Sequence, residues 1–121
     1  MLADIVVNPS VEPEGFGRVV IEGQAMGRIV IAADHGGAVE TVTDGETGFR
    51  IPPANAEALA CVLDRALEMT ANERLALAHR ARAAVVAHFT TAALQNATLS
   101  VYHSVLSREP HVTQAPVLDL L

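Results

Sequence analysis

One run of residues constrains this chain more than any other: Ile29-Val30-Ile31-Ala32-Ala33, set off by Gly27 before it and by Asp34-His35-Gly36-Gly37 after it. A strand exposed on one face alternates apolar and polar residues, whereas an unbroken apolar run predicts a strand buried on both faces, as in a parallel sheet covered by helices. Such a strand needs neighbours, and two further runs supply them. Ala3 to Asn8, with Ile5-Val6-Val7 continuous, reads as a strand ended by Pro9, and Thr47 to Ile51 reads as a third strand ended by Pro52-Pro53. Between the first two, Phe16, Val19, Val20 and Gly23 place an apolar stripe on a helix from about Gly17 to Met26, with Gly27 as its stop. Strand, helix, strand implies a right-handed parallel crossover. A turn at His35-Gly36-Gly37 then leads into a short helix containing Ala38 to Val42.

The rest of the chain reads as helical. Asn55 is an N-cap for a helix carrying Leu59, Val62, Leu63, Ala66 and Leu67, and Thr70-x-x-Glu73 is a capping box for the next, which turns Leu75, Ala78, Val85 and Phe89 toward a core. Thr90 starts a last helix, striped by Leu94, Thr98, Val101, Tyr102 and Val105 and ending near Leu106. From Ser107 the chain has Pro110 and Pro116 and no period, so residues 107–121 are expected to be an irregular or disordered tail, outside a domain spanning 1–106. A chain that opens directly on a core strand is expected to be part of a longer protein.

Composition removes several functions. With 121 residues there is room for one modest core, and with 50% apolar but only 3% aromatic residues that core must be aliphatic. A net charge of −6 with eight Lys plus Arg leaves no basic stripe for a phosphate backbone, so no nucleic-acid partner is expected. The longest wholly apolar runs, such as Ile29 to Ala33 and Ala83 to Ala87, fall far short of the roughly 20 residues of a spanning helix. No basic leader precedes Asp4, and Cys61 is the sole cysteine, which fits a cytoplasmic location. Cys61 beside an apolar stripe is expected to be a packed thiol. The histidines, His35, His79, His88, His103 and His111, have no zinc-ligand spacing, so neither a metal nor another cofactor is expected. There is no Gly-x-Ser-x-Gly elbow and no P-loop.

What remains as chemistry lies between Pro9 and Gly37. Glu14 stands at the mouth of the first helix and Glu22 eight steps later, an axial separation of roughly 12 Å. That is too far for an acid and base pair acting on one bond, whose carboxyls sit roughly 5 to 9.5 Å apart. It suits two grips on one long ligand. Each glutamate also has a plain structural reading, Glu14 as a favourable charge at a helix N-terminus and Glu22 as part of a solvated face. Gly15, Phe16 and Gly17 would let backbone N–H groups approach an oxygen-rich ligand, or would simply make a turn. Gly36 and Gly37 read first as a turn, and His35 as a solvated loop residue within reach of a phosphate.

Ser10-x-x-x-Glu14-Gly15-Phe16-Gly17-x-x-x-x-Glu22, then Ala25-Met26-Gly27, Gly36-Gly37-x-x-Glu40 and Asp44-Gly45-x-Thr47-Gly48-Phe49, together resemble the C-terminal region of retaining GT-B glycosyltransferases of the glycosyltransferase 4 type. Gly23, where the family usually has Ala, and the lack of a proline at Arg28-Ile29 are small departures. The resemblance implies an α/β fold, the distal half of a Rossmann-like GT-B C-terminal domain with C-terminal helices. It implies that Glu14 holds donor-sugar hydroxyls and is the catalytic-centre residue, that Glu22 holds the ribose diol, and that Gly15, Phe16 and Gly17 line the donor site. The partner would be a nucleotide-diphosphate sugar, the reaction hexosyl transfer to an acceptor. The family's basic diphosphate-binding residues and acceptor domain would have to come from a missing N-terminal half or another chain, and the isolated chain is expected to be inactive. The rival reading is a non-catalytic remnant or partner subunit that keeps the fold. A generic Rossmann module is disfavoured because no Gly-x-Gly-x-x-Gly follows a strand.

Overall fold

The computed structural model describes residues 3–107. The expected irregular tail therefore lies outside the described residues, apart from Ser107. Strand β1 is Ile5–Asn8, helix α1 Arg18–Ala25, β2 Ile29–Ala33, α2 Ala38–Thr41, β3 Phe49–Ile51, α3 Ala56–Glu68, α4 Ala71–His88 and α5 Thr91–Leu106. The strands form one sheet in the order β1-β2-β3, parallel throughout, with Ile5 opposite Ile29 and Ile31 opposite Phe49.

Every residue of β2 is buried, and its alternation divides the core in two. Ile29 and Ile31 join Phe49, Ile51, Ala66 and Leu77 on the face covered by α3, while Val30 and Ala32 join Val20, Ala38 and Val42 on the face covered by α1 and α2. The continuous apolar run has its cause here: both faces of the strand are roofed. Gly23 has a packing reason as well. A Cβ there would come 2.9 Å from Val30 Cγ2 and 3.4 Å from Val6, so α1 lies close against β1 and β2 only because the side chain is absent.

Several expectations shift. The first strand begins at Ile5 and is only half-buried, and the third begins at Phe49 rather than Thr47. The reason for the latter is a competing use of Thr47, whose hydroxyl accepts from the Thr43 N–H at 2.9 Å and from Gln24 Nε2 at 3.3 Å, tying it into the turn before the strand. On α4 the buried residues are Leu77, Ala81 and Val85, and Leu75 is exposed. On α3, Leu67 is exposed, and Cys61 is exposed rather than packed. The chain divides into two compact units, one ending at Thr90 and one beginning at Thr91. In the second, α5 is helical as expected, but none of its residues is buried.

Both anticipated caps are present. Asn55 Oδ1 accepts from the Ala58 N–H at 2.9 Å, and Thr70 and Glu73 form a reciprocal capping box. Hydrogen bonds from the Thr70 hydroxyl and backbone hold the Glu73 carboxyl below its ordinary range. Thr70→Ala is expected to cost about 1 kcal/mol in a denaturant titration, the usual worth of such a cap.

Candidate functional site

The turn after β2 and the loop after β1 meet at the C-terminal edge of the sheet, where open parallel sheets take ligands. Their meeting depends on glycine. Gly36 has φ +55°, and a Cβ on it would lie 2.2 Å from the Glu14 carbonyl oxygen; one on Gly37 would lie 2.6 Å from Gly15 O and from Phe16 C. Gly37 N–H also donates to the Glu14 carbonyl at 3.0 Å. The paired glycines are thus the bed on which the Glu14-Gly15-Phe16 backbone rests, more than the plain turn read from sequence.

On that bed the Glu14 side chain is held at both oxygens. Ser10 Oγ donates to Oε1 at 2.5 Å, and Asn8 Nδ2, from the last residue of β1, donates to Oε2 at 3.1 Å. These bonds, first Ser10 and then Asn8, with a smaller pull from His35, keep the Glu14 carboxyl below its ordinary range against a slight opposing effect of burial. A depressed carboxylate stabilises its surroundings above the unfolded value and loses that contribution as pH falls through the lowered one. That contribution is therefore present at neutral pH and is lost in acid. His35, expected in solvent, instead has Nε2 2.8 Å from the Ser10 carbonyl oxygen, and its Nδ1 is buried without a hydrogen-bond partner. Asn8, Ser10, Glu14, Gly17, Ala33 and His35 surround about 10 Å³ of space, room for one water.

Gly17, at φ +68°, caps α1 with no side-chain bond, and the first turn of the helix has no acidic residue. It carries Arg18 instead, a cation at the positive end of the helix dipole. That end has no anionic partner within its own first turn. Gly15 is open: a Cβ there would meet nothing within 4 Å. Phe16 is half-exposed and packs edge-to-face on Phe89, centroids 5.8 Å apart. Glu22 stands apart from the Glu14 cluster on α1, its Oε1 3.2 Å from Arg18 Nη2 and its side chain 61% exposed. A larger groove of about 400 Å³ opens beside the start of β3, between Phe49, Arg65, Glu68, Glu73 and Arg80, and contains none of these residues.

The profile of the family described as Glycosyl transferases group 1 matches residues 1–84. The chain belongs to that family. It is 33% identical over 90 residues to the lipopolysaccharide 1,2-N-acetylglucosaminetransferase of Salmonella typhimurium, an alignment spanning 74% of this chain and 23% of the relative. Among solved structures it is similar to a glycosyltransferase from Rickettsia africae, with TM-score 0.84 and 38% identity over 89% of this chain and 29% of that one. It also resembles Anabaena HepE in complex with UDP, with TM-score 0.78 and 32% identity over 84% and 28%. The chain thus spans under a third of the length of each. The fold is the parallel α/β arrangement of these GT-B enzymes. No helix among the described residues is long and apolar enough to cross a membrane.

Three residues gather around Glu14 through contacts that residue order does not announce: Asn8, Ser10 and His35. From sequence Asn8 reads only as a strand end and His35 as a solvated loop residue within reach of a phosphate, although a polar residue closing an apolar strand at the sheet edge is a usable signal. Ser10 lies within the motif, which by itself assigns it no role.

Proposed function

We propose that this group 1 glycosyl transferase chain forms part of a donor-binding domain, residues 1–106, which holds a nucleotide-diphosphate sugar for hexosyl transfer to an acceptor bound elsewhere. The observation that carries the reading is Glu14, a carboxylate already ionised and oriented by Ser10 and Asn8 at the sheet edge, beside an α1 N-terminus without an acid of its own. A carboxylate so held has lone pairs left for sugar hydroxyls, and each such charge-assisted bond contributes about 1.5 to 3 kcal/mol. The dipole end of α1 suits the diphosphate. Glu22 takes the ribose diol. Its bond to Arg18 is an exposed i,i+4 pair worth about 0.3 to 0.5 kcal/mol, so a diol displaces it at little cost. The complexes of HepE with UDP and with UDP-glucose support a nucleotide sugar as the ligand class.

The test is calorimetric titration of the chain with UDP-glucose. Weak, saturable binding is expected, reduced about tenfold or more by Glu14→Ala, which removes at least one charge-assisted bond, and reduced also by Glu22→Gln. Gly15→Ala, whose methyl group meets only open space within the chain, should leave thermal stability unchanged while weakening binding. Binding indifferent to all three substitutions would overturn the assignment. No glycosyl transfer is expected from the chain alone, because orientation of donor against acceptor supplies roughly 7 to 11 kcal/mol of the barrier reduction in such reactions.

A second reading, a non-catalytic partner subunit, is favoured by β1, whose only strand neighbour among the described residues is β2. An open strand edge invites pairing with another chain. Gel filtration of a clean monomer at high micromolar concentration would count against it.

A further inference from the structure

The turn after β2 grips the loop after β1 at two points, and only one of them is backbone. Gly37 holds the Glu14 carbonyl, as described. The other is the His35 side chain, which reaches across 25 residues of sequence to the Ser10 carbonyl. A carbonyl oxygen has no proton to give, so His35 Nε2 is the donor and carries hydrogen. In the neutral ring this leaves Nδ1 bare. Nδ1 is buried without a partner, and the adjoining space admits one water. The ring is therefore committed to Ser10 rather than turned to solvent. The chain of contacts continues outward, because the same Ser10 donates its hydroxyl to Glu14 Oε1.

We propose that His35 is a positioning residue for Glu14: its Nε2–H fixes the Ser10 backbone, and Ser10 in turn fixes the carboxylate that meets the ligand. The inference rests on the donor-binding reading for its functional meaning, but not for its geometry. An imidazole could also act on Glu14 simply as a charge, since a protonated ring attracts the carboxylate. The two roles separate cleanly. His35→Gln and His35→Asn are both uncharged, but only the glutamine amide reaches the place of the imidazole Nε2, whereas the asparagine amide stops near the place of Nδ1.

Two readouts are needed. The first, independent of any ligand, is the titration of the Glu14 carboxyl followed by carbon-13 NMR, with the amide spectrum of β2 as the check on folding. Glu14 is expected to titrate closer to the ordinary carboxylate range in His35→Asn, because Ser10 no longer holds it, and to return toward its lowered position in His35→Gln. The second is UDP-glucose affinity, expected to fall about tenfold in His35→Asn and to lie within about twofold of the parent in His35→Gln. Equal titration of Glu14 in both variants, whether shifted or not, overturns the proposal, since then only charge or nothing matters. If the titration separates the variants but Glu14→Ala leaves UDP-glucose affinity untouched, positioning stands and the donor reading fails. Should His35→Asn not fold, nitrogen-15 NMR of the unmodified chain decides instead. At pH 8 the His35 ring is expected as the Nε2–H tautomer, and the Nδ1–H tautomer would overturn the inference.

Discussion

Gly36→Ala is expected to destabilise the chain by about 2 to 4 kcal/mol, the sum of a left-handed backbone forced on an L-residue and of overpacking. The added methyl group would sit 2.2 Å from the Glu14 carbonyl oxygen, and no rotamer change can relieve a collision between Cβ and backbone. Either the turn after β2 or the loop carrying Glu14 must move. A denaturant titration reads the loss directly, and the amide signals of residues 14–17 should shift more than those of β3. A fully stable variant with unmoved loop signals would show that the two backbones are not in contact. The contrast with Gly15→Ala is informative: one glycine is required by the chain's own packing, the other is spare space at the proposed ligand surface.

Gln24→Met should cost a similar amount, about 2 to 4 kcal/mol, although the replacement is apolar, close in volume and in the middle of a core. Gln24 is wholly buried on α1, and its Nε2 donates to the carbonyls of Thr41 and Thr47, both at 3.1 Å. Removing the donor leaves two buried carbonyls unsatisfied, each carrying a penalty of about 1 to 3 kcal/mol. The side chain is the pin that fastens the α2 to β3 connection to α1. Thr47→Val, which removes only the hydroxyl, should cost less than Gln24→Met in the same titration. An equal or larger loss would move the pin from Gln24 to Thr47.

Much of this architecture could be read directly from residue order. The unbroken Ile29 to Ala33 run required a strand roofed on both faces, and the Asn55 and Thr70-x-x-Glu73 signals marked helix starts because their side chains bond locally. What depended on distant contacts could not be read so well. On α4, Leu75, Leu77, Val85 and Val86 are all apolar, so the pattern did not fix the buried face. It is set by Leu77 reaching the β2–β3 core, with Ala81 and Val85 buried at successive turns. His35 and Ser10 are 25 positions apart, and no local rule joins them. Glu14 was legible as a candidate through its motif, but the hydrogen bonds that orient it come from where β1 happens to end. Glu22 was singled out by the same motif, and its exposed pair with Arg18 is what any surface helix could show.

The half-buried state of β1 against the full burial of β2 sets up a gradient of hydrogen-exchange protection running into the site. Opening costs least where a strand has one hydrogen-bonded neighbour and partial cover, so β1 amides should exchange well before those of β2. Asn8, the last residue of that strand, holds Glu14 Oε2, and the loop carrying Glu14 hangs directly from it. Each fraying of β1 therefore also dismantles the carboxylate's setting, and the two events share one opening free energy. Any molecule that binds the assembled carboxylate lowers the population of the opened form in proportion to its saturation. Ligand occupancy should then be recorded at a distance, as slowed exchange along Ile5, Val6 and Val7, residues set back from Glu14 along the strand.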